Sequence, residues 1–320
     1  MRSLATSRRD LLKACLAAPL GLGGATQPSR VVVAHEPMVR TPTSAPDSAR
    51  ILKALDRAME SCFQTDSAAA AWRRVARPGE TVGLKVNCLA GHGASTRVAL
   101  VEAICERLQQ AGMARRNIII WDRLNADLES AGFHIEPRAD RIRCLGNDEL
   151  GYADELSVYG SVGSLLANAV TLCDVIVNLP VLKDHGIVGV TMALKNLFGA
   201  IHNPNKYHIH GGNPYVADVN MLPPIRRKVR LHICDALVAQ YEGGPSYMPQ
   251  WAWTENALLV SQDAVALDTV GWRIIERKRA EKGVPSLKDA HREPAYIATA
   301  ADAAHRLGIN DPQLIEQVEV

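Results

Sequence analysis

Residues 174–212 read DVIVNLPVLKDHGIVGVTMALKNLFGAIHNPNKYHIHGG. Val175-Ile176-Val177 is a short, β-branched, apolar run that stops at Asn178. Such a run suits a strand covered on both faces, as in a parallel sheet flanked by helices. The polar residues that follow gather at turns within an otherwise apolar stretch. Lys183, Lys195 and Lys206 fall here, with four of the ten histidines: His185, His202, His208 and His210. Polar groups placed that way point to a site rather than to a solvated face.

The same alternation extends outward along the chain. Strand-like runs occur at residues 31–34, 81–86, 117–121, 229–234 and 257–260. Helical spacing marks residues 47–63, where Ile51, Leu55 and Met59 share a face, and residues 97–111, closed by Gly112. Further helices are expected at 163–172, at about 190–201, at 294–307, and from Asp263, a good N-cap, to about 281. Strands alternating with helices predict an α/β fold with a largely parallel, doubly wound sheet and inserted loops. Residues 26–320 are expected to form a single α/β domain.

The N-terminus reads as a targeting segment. Ser7-Arg8-Arg9-Asp10-Leu11-Leu12-Lys13 fits a twin-arginine motif, followed by a short apolar run and small residues near Ala25. That run is too short to span a bilayer. A twin-arginine signal peptide at 1–25 predicts engagement with the twin-arginine export machinery and a periplasmic or otherwise exported protein, with no membrane association after cleavage. The segment also carries more positive charge than the whole chain's formal +2. The remainder is therefore near neutral, without the basic excess that nucleic acid would require. A hydrophobic content of 47% and a charged content of 22% are those of a soluble globular chain. The cysteines show no C-x-x-C spacing, so no iron–sulfur cluster is expected.

Ligands in open α/β sheets bind beyond the carboxyl ends of the strands. Here those ends carry His35-Glu36, Asn87, Asp122, Asn178, Asp235 and Ser261-Gln262-Asp263. Each alone reads as a turn or cap. Together they predict a shared crevice. Lys85 and Asn87 lie on one strand face, and a lysine inside a buried strand needs either a carboxylate partner or an anionic ligand. Lys183 and His185 are expected on the loop after the fourth strand. A helix starting near Val190 would add an anion-attracting N-terminus, with Lys195 and Asn196 one turn in.

His202, His208 and His210 form a second pattern. They read either as ligands for a divalent metal or as anion-contact and acid–base groups. Tyr247, Trp251 and Trp253 read as a pocket lid, a recognition patch or a packed loop. The sequence has no nucleophile elbow, P-loop or H-E-x-x-H motif.

The motifs Lys85-Val86-Asn87, Asp122, Asn178-Leu179-Pro180 with Lys183 and His185, and Ala193-Leu194-Lys195-Asn196-Leu197-Phe198-Gly199 resemble the domain-of-unknown-function 362 family. His210, Asp235-Ala236, Gly244-Pro245, Ser261-Gln262-Asp263 and Ala266-Leu267-Asp268 extend the resemblance, which runs from about Val82 to the C-terminus. It implies a site at these positions and leaves the substrate open. Many relatives of this kind carry an iron–sulfur ferredoxin module, for which this chain lacks the cysteines.

The expected function is an exported enzyme acting on a small anionic substrate, with a divalent metal as a candidate cofactor. Lys183, His185 and Lys195 are the catalytic candidates. Lys85, Asn87, Asp122, Asn178, Asn196, Asp235 and Asp263 are the ligand-binding candidates. The alternative is a non-catalytic periplasmic protein that binds a metal or small ligand through the histidine cluster.

Overall fold

The computed structural model describes residues 28–37 and 47–320. The expected signal peptide lies outside the described residues. The chain enters as β1 (Ser29–His35), then helices α1 (Ser48–Phe63) and α2 (Ala68–Val75). Asp47 caps α1 by accepting from the backbone N–H groups of Ala49 and Arg50, and Ile51, Leu55 and Met59 form its buried stripe. There follow β2 (Val82–Lys85), α3 (Val98–Gln110), β3 (Ile118–Asp122), α4 (Asn125–Ser130), β4 (Arg143–Gly146) and α5 (Asn147–Leu150). A hairpin of β5 (Tyr152–Tyr159) and β6 (Val162–Ala167) is inserted before α6 (Asn168–Leu172).

The central strand β7 (Val175–Asn178) leads to β8 (Val181–His185), β9 (Gly189–Thr191) and the single turn α7 (Ala193–Asn196). Helices α8 (Tyr215–Met221) and α9 (Pro223–Lys228) precede β10 (Val229–Gln240) and β11 (Ala252–Trp253). The chain closes with β12 (Ala257–Ser261), α10 (Ala264–Glu281), α11 (Tyr296–Ala301) and β13 (Ile315–Glu319).

The main sheet runs β13-β1-β12-β10-β7-β2-β3-β4. From β10 to β4 every pairing is parallel. Alternate residues of the strands feed two apolar cores, one on each face. Val31 and Val33 join a core with Val216, Ile225 and Val265 from α8, α9 and α10. Val32 and Ala34 join one with Leu55, Trp72 and Leu100 from α1, α2 and α3. The result is the expected α/β architecture, with a mostly parallel sheet covered on both sides.

One topological feature positions the site. From β2 the chain steps outward through β3 and β4. It then returns to the other side of β2 as β7 and continues to β10. The strand order therefore reverses between β2 and β7, where a crevice opens at the carboxyl ends. Lys85 and Asn178 are partners in that register.

Several local expectations are corrected. Residues 162–167 form a strand, with Val162 and Ser164 buried and Gly163 and Leu165 half-buried between them; period-two burial prevails over the helical reading. The expected helix at 190–201 is divided into β9, one α turn and a 3-10 turn through Ala200. Gly189, at φ +89°, and the β-branched Val190-Thr191 pair favour the hairpin there. Helix α11 is shorter than the expected 294–307.

Lys183 and His185 lie on a buried strand, not on a loop, because β8 pairs with the extension of β10 beyond Cys234. Asp235 is for the same reason internal to β10 rather than at its end. Strand β12 runs antiparallel to both neighbours. Its carboxyl end therefore emerges at the opposite edge of the sheet and takes Asp263 away from the crevice.

Candidate functional site

A cavity of about 360 Å³ sits at the β2–β7 reversal. Strand ends, the β8–β9 hairpin and the segment after α7 form its walls. Lys85, Asn87, Asp122, Lys183, Lys195 and Asn196 line it. So do His185, Thr191, Phe198 and His208, with Arg123 and Asp127.

A buried polar lattice holds the floor. Lys85 Nζ donates to Val86 O at 2.5 Å, Asp122 Oδ1 at 2.8 Å and Asn196 Oδ1 at 3.3 Å. The other Asp122 oxygen accepts from Cys88 N at 2.7 Å. Asn196 Nδ2 donates to Asn178 Oδ1, and Asn178 Nδ2 reaches the Ala193 carbonyl. Asn87 Nδ2 donates to Asn196 Oδ1 while its own Oδ1 accepts from Lys183 Nζ at 2.8 Å. Lys183 also donates to Ala94 O. Unpaired polar groups are costly in such a place, so this connectivity is what permits two lysines and three asparagines to be buried together. Gly199 is part of the arrangement: a Cβ there would sit 2.6 Å from Lys85 Cε and 2.8 Å from its Nζ.

Lys195 differs from the other two lysines. Among the described residues its Nζ makes no hydrogen bond or ion pair. It lies over the Phe198 ring, 4.0 Å from the centroid. Burial first, then the charges of Arg123, Lys85 and Lys183, bring its pKa down to about 7. Burial lowers Lys183 to about 8. Thr191 Oγ1 is buried on the same cavity without a partner.

The two imidazoles are stacked, with centroids 5.5 Å apart. His185 Nδ1 accepts from the backbone N–H groups of Ile187 and Val188 at 3.1 and 3.4 Å. The ring proton of neutral His185 is therefore on Nε2. Burial, with help from Lys195 and His208, lowers its pKa to about 2, so it stays neutral at physiological pH and acts as a hydrogen-bond donor. His208 Nδ1 lies 3.1 Å from the Pro204 carbonyl, which places its proton on Nδ1 and leaves Nε2 as an acceptor. Burial lowers His208 as well. Burial, then Asp122, raises the carboxyl of Asp127.

Other sequence candidates lie elsewhere. Asp263 caps α10 and accepts from Ser29 Oγ and Ile309 N. Asp235 accepts from the backbone of Arg97 and Leu237. The helix start expected to attract an anion is already occupied: Asp268 accepts from Ala193 N at 2.7 Å and Leu194 N at 3.0 Å. His202 packs edge-on to Tyr152, and His210 faces a separate shallow cleft with Lys288 and Arg292. The three candidate metal histidines are thus dispersed, and among the described residues no group of three or more His, Cys, Asp or Glu could hold a metal ion. Trp251 and Trp253 pack on Tyr241, the packed-loop alternative, and Pro245 comes from the same loop to line the cavity. Arg123 and Asp127 were missed in the sequence. Arg123 directly follows the strand end at Asp122, which is the signal that could have found it.

The chain belongs to the family described as "Domain of unknown function (DUF362)", whose model matches residues 82–273. That span contains every residue of the cavity wall named above. The chain is also similar to the "Thylakoid-associated protein sll1697" of Synechocystis sp., at 28% identity over 245 residues, covering 73% of this chain and 70% of that protein.

Proposed function

We propose that the protein is an enzyme acting on a small anionic molecule in the β2–β7 crevice, and that it works outside the cytoplasm after twin-arginine export. One observation carries the pocket reading. Lys195, whose Nζ has no protein acceptor, and Thr191, whose buried Oγ1 is unpartnered, line one cavity of about 360 Å³. A cation without a carboxylate, open to a pocket beside other cations, is matched best by an anion. Arg123 lines the same cavity, and its guanidinium is a planar fork suited to a carboxylate.

The roles divide by environment. Arg123 and Lys195 bind the anion. Lys183 and Lys85 supply positive field from a fixed lattice. His185 donates a hydrogen bond from Nε2, and His208 Nε2 accepts or returns a proton. A volume of about a dozen waters limits the ligand to a small molecule.

Calorimetric titration of the exported, untagged protein with oxalate, pyruvate, sulfate and phosphate tests the pocket. At least one should bind, and Arg123→Ala and Lys195→Met should each weaken that binding tenfold or more, about 1.4 kcal/mol. If none binds, or if both variants bind like the unaltered protein, the anion reading fails. Turnover of the bound anion by the unaltered protein, lost in Lys195→Met, separates an enzyme from a non-catalytic binding protein.

A further inference from the structure

We propose that the anion is a 2-oxo acid, and that Lys195 captures its carbonyl carbon as an imine at Nζ. The inference rests on the anion-pocket reading above and adds the functional group that the anion must carry.

Three lysines reach the cavity, and two of them are committed. Lys85 has Asp122, Asn196 and the Val86 carbonyl as acceptors. Lys183 has Asn87 and the Ala94 carbonyl. Lys195 has only the Phe198 ring face at 4.0 Å. A lysine placed purely as a fixed charge would be given acceptors at rest, as its two neighbours are. Held instead among cations in a desolvated site, Lys195 has a pKa of about 7 and spends much of its time as the free amine. A desolvated amine beside other cations is the arrangement that makes lysine a nucleophile toward carbonyl carbon.

The surrounding groups select the rest of the ligand. Arg123 offers two parallel N–H donors, which match a carboxylate. Thr191 Oγ1, buried and unpartnered, can hydrogen-bond the same ligand. A 2-oxo acid carries carboxylate and carbonyl on adjacent carbons, so one small molecule satisfies the guanidinium and the amine together. The His185/His208 stack offers a donor at one Nε2 and an acceptor at the other.

The step balances without an oxidant or reductant. The Nζ lone pair forms the C–N bond as the carbonyl π pair moves to oxygen. That oxygen takes one of the protons that Nζ sheds, carried across by His208 Nε2, while the Nε2–H of neutral His185 donates a hydrogen bond to it. Loss of the carbinolamine oxygen as water, carrying both former Nζ protons in net terms, leaves the imine. Protonation gives an iminium, which restores positive charge next to the bound carboxylate.

The test is to treat the full chain with pyruvate and sodium borohydride and then map the digested peptides by mass spectrometry. The expected result is one reduced pyruvyl group on Lys195, dependent on both reagents and suppressed by excess oxalate. Lys195→Arg should lose the adduct. Because the map is made on the unaltered protein, the outcome does not depend on how the variant folds. Oxalate binding without any adduct at Lys195, or with adducts spread over exposed lysines only, overturns the imine and leaves the anion pocket standing. Absence of both binding and adduct overturns the two together.

Discussion

Binding of oxalate should draw a proton into the protein, because the pocket holds Lys195 part-neutral. The folded, ligand-free Lys195 titrates at about 7, against an ordinary 10.5. Burial is the main cause, and Arg123, Lys85 and Lys183 add repulsion. Asp122 faces this group from β3 but is engaged by Lys85 and the Cys88 N–H. Asp127, from α4, lines the same cavity, its carboxyl raised by burial and by Asp122. His185 is neutral throughout. Bound oxalate, which carries a second carboxylate where a 2-oxo acid carries its carbonyl, would supply the missing counter-charge and lift Lys195 back toward its ordinary range. With affinity tied to the protonated form, the apparent Kd rises as 1 plus the neutral-to-charged ratio. That ratio is about 0.1 at pH 6 and about 100 at pH 9, so oxalate should bind about 90-fold more weakly at pH 9, about 2.7 kcal/mol. Titration calorimetry in two buffers of different ionisation enthalpy reads the uptake directly: close to one proton at pH 9 and about a tenth of one at pH 6. In Lys195→Met both the uptake and most of the pH slope should vanish. A Kd that is flat between these pH values, with heats independent of buffer, would refute the placement of Lys195 as the uncompensated cation of the site.

Asp122→Ala should destabilise the protein by about 3–5 kcal/mol in urea unfolding, because it strips the buried Lys85 of its carboxylate, and a cost below about 1 kcal/mol would contradict the pairing. The pH dependence of stability should also report on Lys195. Its folded pKa is depressed, so between about 7 and 10.5 the unfolded chain binds a proton that the folded chain does not, and stability gains about 1.4 kcal/mol per pH unit from this group. Comparing Lys195→Met with the unaltered protein across that window should show the slope reduced by that amount, and an identical slope would refute it. Cys88, Cys105, Cys144, Cys173 and Cys234 are free and buried, and burial raises each thiol, three of them to about 12. An aromatic disulfide reagent at pH 8 should label them only after denaturation; fast labelling of the native protein would contradict their burial. Replacing Arg8 and Arg9 by lysine should abolish export of the full chain in a periplasmic-fraction assay, and unimpaired export would remove the twin-arginine reading.

The parts of this site that were legible in the sequence are those set by local chemistry. Val175-Ile176-Val177 and Ile118-Ile119-Ile120 announce strands covered on both faces, and the Asn178 and Asp122 that end them lie on opposite sides of β2 at its carboxyl end. Lys85 was marked by being a cation in a strand that had to be buried, and of the two alternatives that burial left, a carboxylate partner or an anionic ligand, the structure gives it a carboxylate, Asp122. What was not legible depends on strand direction and on distant partners. Asp263 ends its strand as Asp122 does. Nothing local says that β12 runs antiparallel, yet that one reversal carries Asp263 to the opposite edge. The segment 181–185 looked like a loop because it is rich in polar residues. It becomes a strand because β10 extends past Cys234 and offers a pairing edge. On that strand Lys183 and His185 share a face, while Asp184 points away to Arg292 and the Gly244 N–H. The histidines failed as a metal cluster for a related reason. Proximity in sequence brought three rings within nine residues, but His210 sits at φ +52° where the chain turns away, and only His208 reaches the cavity. Neutralising partners are the last thing a sequence reveals. Lys85, Lys183 and Lys195 are the same residue type lining the same cavity, and the difference that matters chemically is that two of them have protein acceptors and the third does not.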